Sequence, residues 1–323
     1  MGNGNGTFGE LDKFLLKAAQ FMHAIHNGQL SLAGLSFEGG NLSNMDLRRA
    51  ALQDTCFKGG NLSGMNLSWA CLEGCHFDGG NLSGTNFTGA LCRGAVFDGC
   101  NLEGANFKNA ILYGASLPRG NLMGADFTEA DLKKATIGGA LIGANFQDAD
   151  LSGATFESAN LQDVNLAGVK LVKTLFRGGN LQGANFKSAD MKKASLMHAA
   201  LIGAYLGDVD LEGANLTGAV LTGANLEEAN LKGANLTEVK LMQTEMDGAM
   251  LDGAILTGAF CMDADMSNVS LRNANVCGAN FTGAKLEHVR FRNVVYDNTT
   301  KWPANFIPPD KRAENARMQR KKK

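Results

Sequence analysis

The stretch Gly39-Gly40-Asn41-Leu42-Ser43 decides the fold. It returns unchanged at residues 59–63 and 79–83, and in weaker form at 99–103, so its period is twenty residues. Inside this period runs a shorter one of five, in which a large apolar residue usually follows a small residue and Asn or Asp. Neither the 3.6-residue period of an α-helix nor the two-residue period of a strand produces this spacing. We therefore predict that the chain turns every five residues and that four such units close one square coil.

The five-residue register runs in two blocks. We call the large apolar residue of each unit position i; it recurs without a break from Leu32 to Ile137 and again from Leu141 to Phe291. One residue is missing between the blocks, so we expect a kink or bulge between Ile137 and Phe146. Coils stacked about 4.8 Å apart would form a rod on the order of 60 Å long. The expected core columns are Leu42, Leu62, Leu82, Leu102 and Leu122; Phe37, Phe57, Phe77 and Phe97; and Phe87, Phe107 and Phe127.

The repeat resembles that of the pentapeptide-repeat family, A(D/N)LXX. Gly-Ala-Asn followed by Leu or Phe recurs at residues 143–146, 183–186, 213–216 and 233–236, and the resemblance covers about residues 30–296. It implies an all-β fold, a right-handed quadrilateral β-helix in which the side chains at i and i−2 point inward.

Segments of different composition flank the repeats, and a solenoid needs caps because its apolar core is open at both ends. Residues 1–28 are predicted to contain a short capping helix, since 9–26 has the i, i+3, i+4 apolar spacing. The repeats follow over 29–296, with the register slip between 137 and 146. Residues 297–309 resemble the closing segment of many bacterial pentapeptide-repeat proteins, and Trp302 and Phe306 are expected to fold over the last coil. Residues 310–323 are rich in Lys and Arg and are predicted to form a basic, disordered tail.

The histidines and cysteines show no spacing typical of catalysis or metal binding. The seven cysteines include no CxxC pair, which favours reduced thiols in a cytoplasmic protein. The Gly pairs precede no predicted helix and no Lys-Ser/Thr, so they are repeat positions and not phosphate loops. We therefore predict no catalytic, cofactor-binding or metal-binding residue, no cofactor and no enzymatic activity. The register places Cys75, Cys92, Cys100 and Cys261 inward, Cys56, Cys71, Cys277, His76, His198 and His288 outward, and His23 and His26 in the predicted helix.

The distribution of charge disfavours direct nucleic-acid binding. The formal net charge is −2, and because the tail is basic, the repeats themselves are mildly acidic. No apolar run approaches the roughly 18 residues of a membrane span. One outward column alternates in sign at twenty-residue spacing, which gives its charges a structural explanation. This column is Lys192, Glu212, Lys232, Asp252 and Arg272.

These features leave three functional hypotheses open, none with a small-molecule substrate. The first is a rigid protein–protein interaction scaffold with a partner that the sequence does not name. The alternative comes from the family resemblance: some members mimic B-form DNA, bind DNA gyrase or a related topoisomerase, and confer quinolone or toxin resistance. Those rods dimerise through their C-terminal ends, which implies a homodimer through a solenoid end as an alternative. The third hypothesis is a secreted bacterial effector, suggested by the uncharged Gly- and Asn-rich first seven residues.

Overall fold

The computed structural model describes residues 31–156 and 159–308, so the predicted capping helix and the basic tail lie outside the described residues. Two strands are long enough to be named, β1 (Ser116–Asn121) and β2 (Thr136–Ala140), and they pair in parallel. Elsewhere, single parallel bridges join the i−1 residues of successive coils, as between Asn41 and Asn61. Outside the slip and the last pair, Asn280 with Lys301, these bridges are twenty residues apart, which confirms the predicted square coil. No helix in the described ranges is long and apolar enough to span a membrane.

The four sides of the coil are numbered here in chain order. In the first described coils side 1 contains Leu32, side 2 Phe37, side 3 Leu42 and side 4 Leu47, and each side continues at steps of one coil. Side 1 therefore lies opposite side 3, and side 2 opposite side 4. On every side, residues i−1, i+1 and i+2 form the outer surface.

Backbone hydrogen bonding explains why the repeat favours Asn or Asp before the large apolar residue. In most units the N–H groups of i and i+2 donate to the next coil, as from Leu42 to the carbonyl of Asn61 (2.8 Å), while that of i−1 donates to the previous coil. The N–H of each i−2 residue donates to the carbonyl of residue i in the preceding unit, and this hydrogen bond closes a turn. The N–H of i+1 has no such main-chain acceptor in the described units, and the side chain at i−1 supplies one. Examples are Ser43 to Asn41 Oδ1 (3.2 Å) and Thr88 to Asn86 Oδ1 (2.9 Å).

The turns explain the frequent glycine two positions after the large residue. Described i+2 residues from Gly34 to Asn293 have positive φ, and the hydrogen bond from i−2 to i makes the corner a type II turn. Glycine adopts this conformation without steric cost, whereas Asn, Asp and Lys occupy it elsewhere at some cost.

The interior is filled by the predicted columns. Phe57 and Phe77 stack with ring centroids 5.2 Å apart, and Phe87 and Phe107 are 4.5 Å apart. Rings on opposite sides of one coil meet edge to face, as Phe77 and Phe87 do at 6.0 Å. Positions i and i−2 are buried throughout most of the rod, which confirms the inward assignment. Polar i−2 residues donate to main-chain carbonyls, for example Thr85 Oγ1 to Leu62 (2.7 Å).

The register slip is present, but it takes the form of a bulge and not of a kink in the rod. Two residues of β1, between Leu117 and Gly120, face one residue of β2. Gly139 pairs with Gly120, the i−2 residue of the previous coil, so the missing residue belongs to the corner, where Gly138 alone faces Pro118 and Arg119. The core stack continues straight past this point, with Phe127 and Phe146 parallel to within 3° and 5.0 Å apart. The core stays intact because no large side chain was lost, but the main-chain ladder is weakened beyond the slip. Among the described residues, the usual hydrogen bonds to the next coil are not made by the N–H groups of Leu141, Gly143, Phe146 and Asp148.

The C-terminal end of the rod is covered by aromatic side chains. Trp302 stacks on Phe281 at 5.2 Å and thereby continues a core column, and Phe306 stacks on Trp302 at 5.1 Å. Phe291 contacts both rings. The expected packing of Trp302 and Phe306 over the last coil is confirmed.

Candidate interaction surface

The inward cysteines lie where the sequence predicted, in surroundings that suppress their reactivity. Burial raises the pKa of the thiols of Cys75, Cys100 and Cys261 to about 12. The Sγ of Cys75 donates to the carbonyl of Leu52 (2.8 Å). These thiols are therefore protonated at neutral pH, and a protonated thiol is a poor nucleophile and a poor metal ligand.

The histidines point outward as predicted and are far apart along the rod. His76 lies 3.3 Å from the carboxylate of Asp78, and the side chain of His198 leans over Gly218 in the next coil. Among residues 31–156 and 159–308, no group of three or more His, Cys, Asp and Glu side chains is placed to hold a metal ion.

The charged column on side 1 is placed as predicted, but its closest ion pairs differ from the expected ones. Lys192 pairs with Asp210 (2.9 Å) and Asp190 (3.7 Å), which are i−1 residues of the next coil and its own coil. The hydrogen bond to Asp210 is the main cause of the raised pKa of Lys192, and Glu212 acts from farther away. Arg93 and Lys133 pair with carboxylates of a neighbouring coil in the same way.

Side 3 differs from the opposite side in having very little charge. Of its outward residues in the described coils, those with charged side chains are Glu103, Asp163, Lys240, Asp263 and Lys301. Side 1 carries charge at nineteen outward positions: Asp54, Glu73, Arg93, Asp131, Lys133, Lys134, Asp150, Lys170, Lys173, Asp190, Lys192, Lys193, Asp210, Glu212, Lys232, Asp252, Arg272, Arg290 and Arg292. We call side 3, from Asn41 to Lys301, the neutral side.

The second half of the neutral side is also apolar. Ile142 is 50% exposed, and Ile202 and Phe260 are each 41% exposed. These residues belong to a surface stripe of successive i+1 residues, with Phe260 beside it at i−1. The stripe is Met123, Ile142, Gln162, Gln182, Ile202, Thr222, Met242 and Met262. The first half of the neutral side is polar instead, because the side chains of Asn81, Asn101 and Asn121 hydrogen-bond to one another from coil to coil.

A row of main-chain donors accompanies the apolar stripe. In four successive coils of the neutral side, the Asn or Asp at i−1 is replaced by Ala200, Val220, Lys240 and Phe260. The N–H groups at i+1 then lose their side-chain acceptor, and within the described residues they have no other protein acceptor. These donors belong to Ile202, Thr222, Met242 and Met262. In other units the accepting side chain lies on the outer surface of the coil, so these N–H groups also point outward.

A shallow groove of about 550 Å³ runs along the corner between side 2 and the neutral side. Corner glycines such as Gly218 and Gly258 form its floor, and Phe260, Glu238 and Lys240 line it. It is open to solvent, so it suits a surface contact better than the enclosure of a small molecule.

Side 4 is acidic in the same coils. Its outward residues include Asp208, Glu227, Glu228, Glu245 and Asp247, with Lys285 paired to Asp265 at 2.8 Å. The sequence-based interpretation missed both the neutral and the acidic side because it followed one column only. Sorting every outward residue by its place in the twenty-residue period would have found them.

Comparisons with known proteins identify the repeat and add little about its partners. HetL from the cyanobacterium Nostoc sp. strain PCC 7120, a pentapeptide-repeat protein involved in heterocyst differentiation regulation, is 24% identical, with 90% of this chain and 98% of that chain covered and a TM-score of 0.31. QnrB1, a plasmid-mediated fluoroquinolone resistance protein, is 23% identical over 58% of this chain and 92% of its own, with a TM-score of 0.27. AT2G44920 from the Arabidopsis thaliana thylakoid lumen is 30% identical, covering 39% of this chain and 68% of that one, with a TM-score of 0.18. No curated protein matches the chain significantly.

Family models cover most of the described rod. The model of a pentapeptide repeat region matches residues 31–107. The model of eight pentapeptide-repeat copies matches five further stretches, which are 105–140, 141–178, 180–218, 219–258 and 261–295. Together with the twenty-residue coils, these matches show that the chain belongs to the pentapeptide-repeat family and has its right-handed β-helix fold.

Proposed function

We propose that this protein is a non-enzymatic scaffold that binds a protein partner along its neutral side. The observation that supports the proposal is the segregation of charge between opposite sides of one rigid rod. Depletion of charge around exposed apolar side chains is typical of the centre of protein–protein interfaces, with polar residues at the rim. Exposed apolar residues grouped on one side of a soluble protein are more informative than residues scattered singly.

The architecture suits a scaffold. Each coil is held by hydrogen bonds to the coils above and below it, and the interior is closely filled by Phe and Leu. A partner would therefore meet a preformed surface, and little conformational entropy would be lost on binding. The proposal includes a reducing compartment such as the cytoplasm, since the seven cysteines are free thiols.

Binding to DNA gyrase by duplex mimicry is a second candidate, favoured by one observation, the acidic side 4. Duplex DNA is negatively charged all around its axis. Side 1 opposes such mimicry because it carries Lys170, Lys173, Lys193 and other cations in the central coils. The effector hypothesis depends on the first seven residues, which lie outside the described ranges.

Site-specific photocrosslinking tests the proposal. A benzophenone amino acid replaces Ile202 on the neutral side or, as a matched control, Val172 at the equivalent i+1 position of side 1. Each protein is irradiated in a lysate of the cells that produce it, and the products are also blotted for gyrase. We expect protein crosslinks from position 202 and few from 172. Equal crosslinking from both positions would contradict the proposal, and a gyrase product from the same probe placed at Tyr205 on side 4 would favour the second candidate.

A further inference from the structure

We propose that the occupant of the neutral side is a second copy of this chain, so that two rods pair side to side. This inference rests on the proposed function, because it names the partner of the surface described there. Three properties of the neutral side support it: its lack of charge, the axial spacing of its unpaired donors, and its area.

Charge favours self-association through this side above sides 1 and 4. Two copies that meet through side 4 would bring acidic residues such as Glu228 and Glu245 together, at a cost in like-charge repulsion. Two copies that meet through side 1 would bury many charged side chains, among them the neighbouring cations Lys170, Lys173 and Lys193. The neutral side meets a copy of itself without burying more than a few charges, of which Lys240 and Asp263 have opposite sign.

A partner that pairs with the row of i+1 N–H groups on the neutral side must offer acceptors at a matching spacing. Donors one coil apart repeat at about 4.8 Å along the rod. An extended strand presents its carbonyls on one edge about every 6.6–7 Å, and the pitch of an α-helix is about 5.4 Å. A second rod has the same repeat as the first, so its acceptors keep level with the donors over several coils. Suitable acceptors are the i+2 carbonyls, such as those of Gly203 and Gly223, which accept no main-chain hydrogen bond.

The area is sufficient for a modest but specific dimer. The neutral side extends over about thirteen coil steps, or on the order of 60 Å, and is about 10 Å wide. Each copy would bury roughly 600 Å², which places the total near 1,200 Å², the lower end of stable interfaces. The C-terminal end is a poorer site, because Trp302 and Phe306 already cover the core there.

The test is the oligomeric state of the full chain by light scattering and sedimentation equilibrium, at concentrations up to about 100 µM, as suits an interface of this size. We expect a dimer for the wild-type chain. Ile202→Glu and Phe260→Glu should each raise the dissociation constant at least tenfold, because each places an unpaired carboxylate in the buried part of the interface. Tyr205→Glu is the matched control: this residue is 60% exposed on side 4 and should leave the dimer unchanged.

Each other outcome overturns the inference. A wild-type chain that remains monomeric shows that the neutral side does not bind its own copy. A dimer that survives both Ile202→Glu and Phe260→Glu uses another surface, and one that is equally sensitive to Tyr205→Glu is not specific to this side. The photocrosslinks distinguish the two proposals. A product of twice the chain mass from position 202 supports pairing, whereas heterologous products with a monomeric rod leave the scaffold function standing without it.

Discussion

Replacing Gly139 by Ala tests the register slip, which is the most constrained point of the rod. Gly139 has φ +85° and lies where β2 passes closest to β1. A Cβ placed on it would overlap the carbonyl oxygen of Gly120 and lie 2.8 Å from the nitrogen of Gly120. Both atoms belong to the backbone, so a side-chain rotation cannot relieve the contact. Gly104 is the matched control, because it has φ +63° and nothing within 4 Å of an added Cβ.

The expected cost has two parts. Both substitutions place an L-residue in the left-handed region, which costs about 1–2 kcal/mol. In Gly139→Ala the two strands β1 and β2 must also move apart, which disturbs the pairing of Gly120 with Gly139 and of Asn121 with Ala140. Loss of two such hydrogen bonds adds about 1–3 kcal/mol. Gly139→Ala should therefore destabilise its coil clearly more than Gly104→Ala destabilises its own.

Hydrogen exchange with mass spectrometry measures this difference coil by coil, which suits a rod whose unfolding need not be two-state. In Gly139→Ala, peptides containing residues 116–121 and 136–140 should lose protection, while peptides beyond Leu181 should change little. Equal protection of the slip in both alanine variants would refute the close approach of Gly139 to Gly120, and with it the position assigned to the missing residue.

Three further predictions concern the core, the thiols and the C-terminal turn. Phe77→Ala should cost about 3–5 kcal/mol and open the surrounding coils first, whereas Lys232→Ala on side 1 should cost well under 1 kcal/mol, as measured by the same exchange experiment. If the lysine variant opened the rod more, the inside and outside assignments would be reversed. Cys71 should react with a thiol reagent in the native protein while Cys75, with a pKa of about 12, reacts only after denaturation; comparable native rates would contradict the burial of Cys75. A neighbouring threonine hydroxyl is the main cause of the lowering of the Asp297 pKa to about 2. This carboxylate should stabilise the end above its unfolded pKa of about 4 and lose that effect as pH falls toward 2. Asp297→Asn should flatten this part of a melting-temperature profile, and an unchanged profile would contradict it.

Sequence periodicity predicted the square coil, the core columns and the position of the slip, because each depends on which residues recur at five and twenty. The form of the slip required coordinates. The sequence shows that one residue is missing before Leu141, but whether an inward or a corner residue is absent depends on backbone angles. The result is a bulge in which a corner residue is absent, and the Phe127–Phe146 stack stays intact because no inward residue is lost.

The candidate surface was predictable in part. Each charge on the neutral side and on side 1 has a known column once the period is known, so their contrast can be obtained from the sequence alone. The row of unpaired N–H groups could not be predicted from the sequence, because the structure was needed to show that Asn or Asp at i−1 accepts a hydrogen bond from the N–H of i+1. Only then do Ala200, Val220 and Phe260 become informative, as positions where that acceptor is absent.

The hydrogen bonds that join each coil only to its neighbours have a mechanical consequence. A pulling force applied to the ends of the chain would load one coil at a time, since no bond ties distant coils together. The rod should then peel from an end in steps of one coil. Each step would release up to about 70 Å of extended chain for twenty residues. The nineteen-residue coil at Gly139 would give one step about 3.5 Å shorter than the others. The rod is therefore stiff in compression and across its axis, yet extensible from its ends.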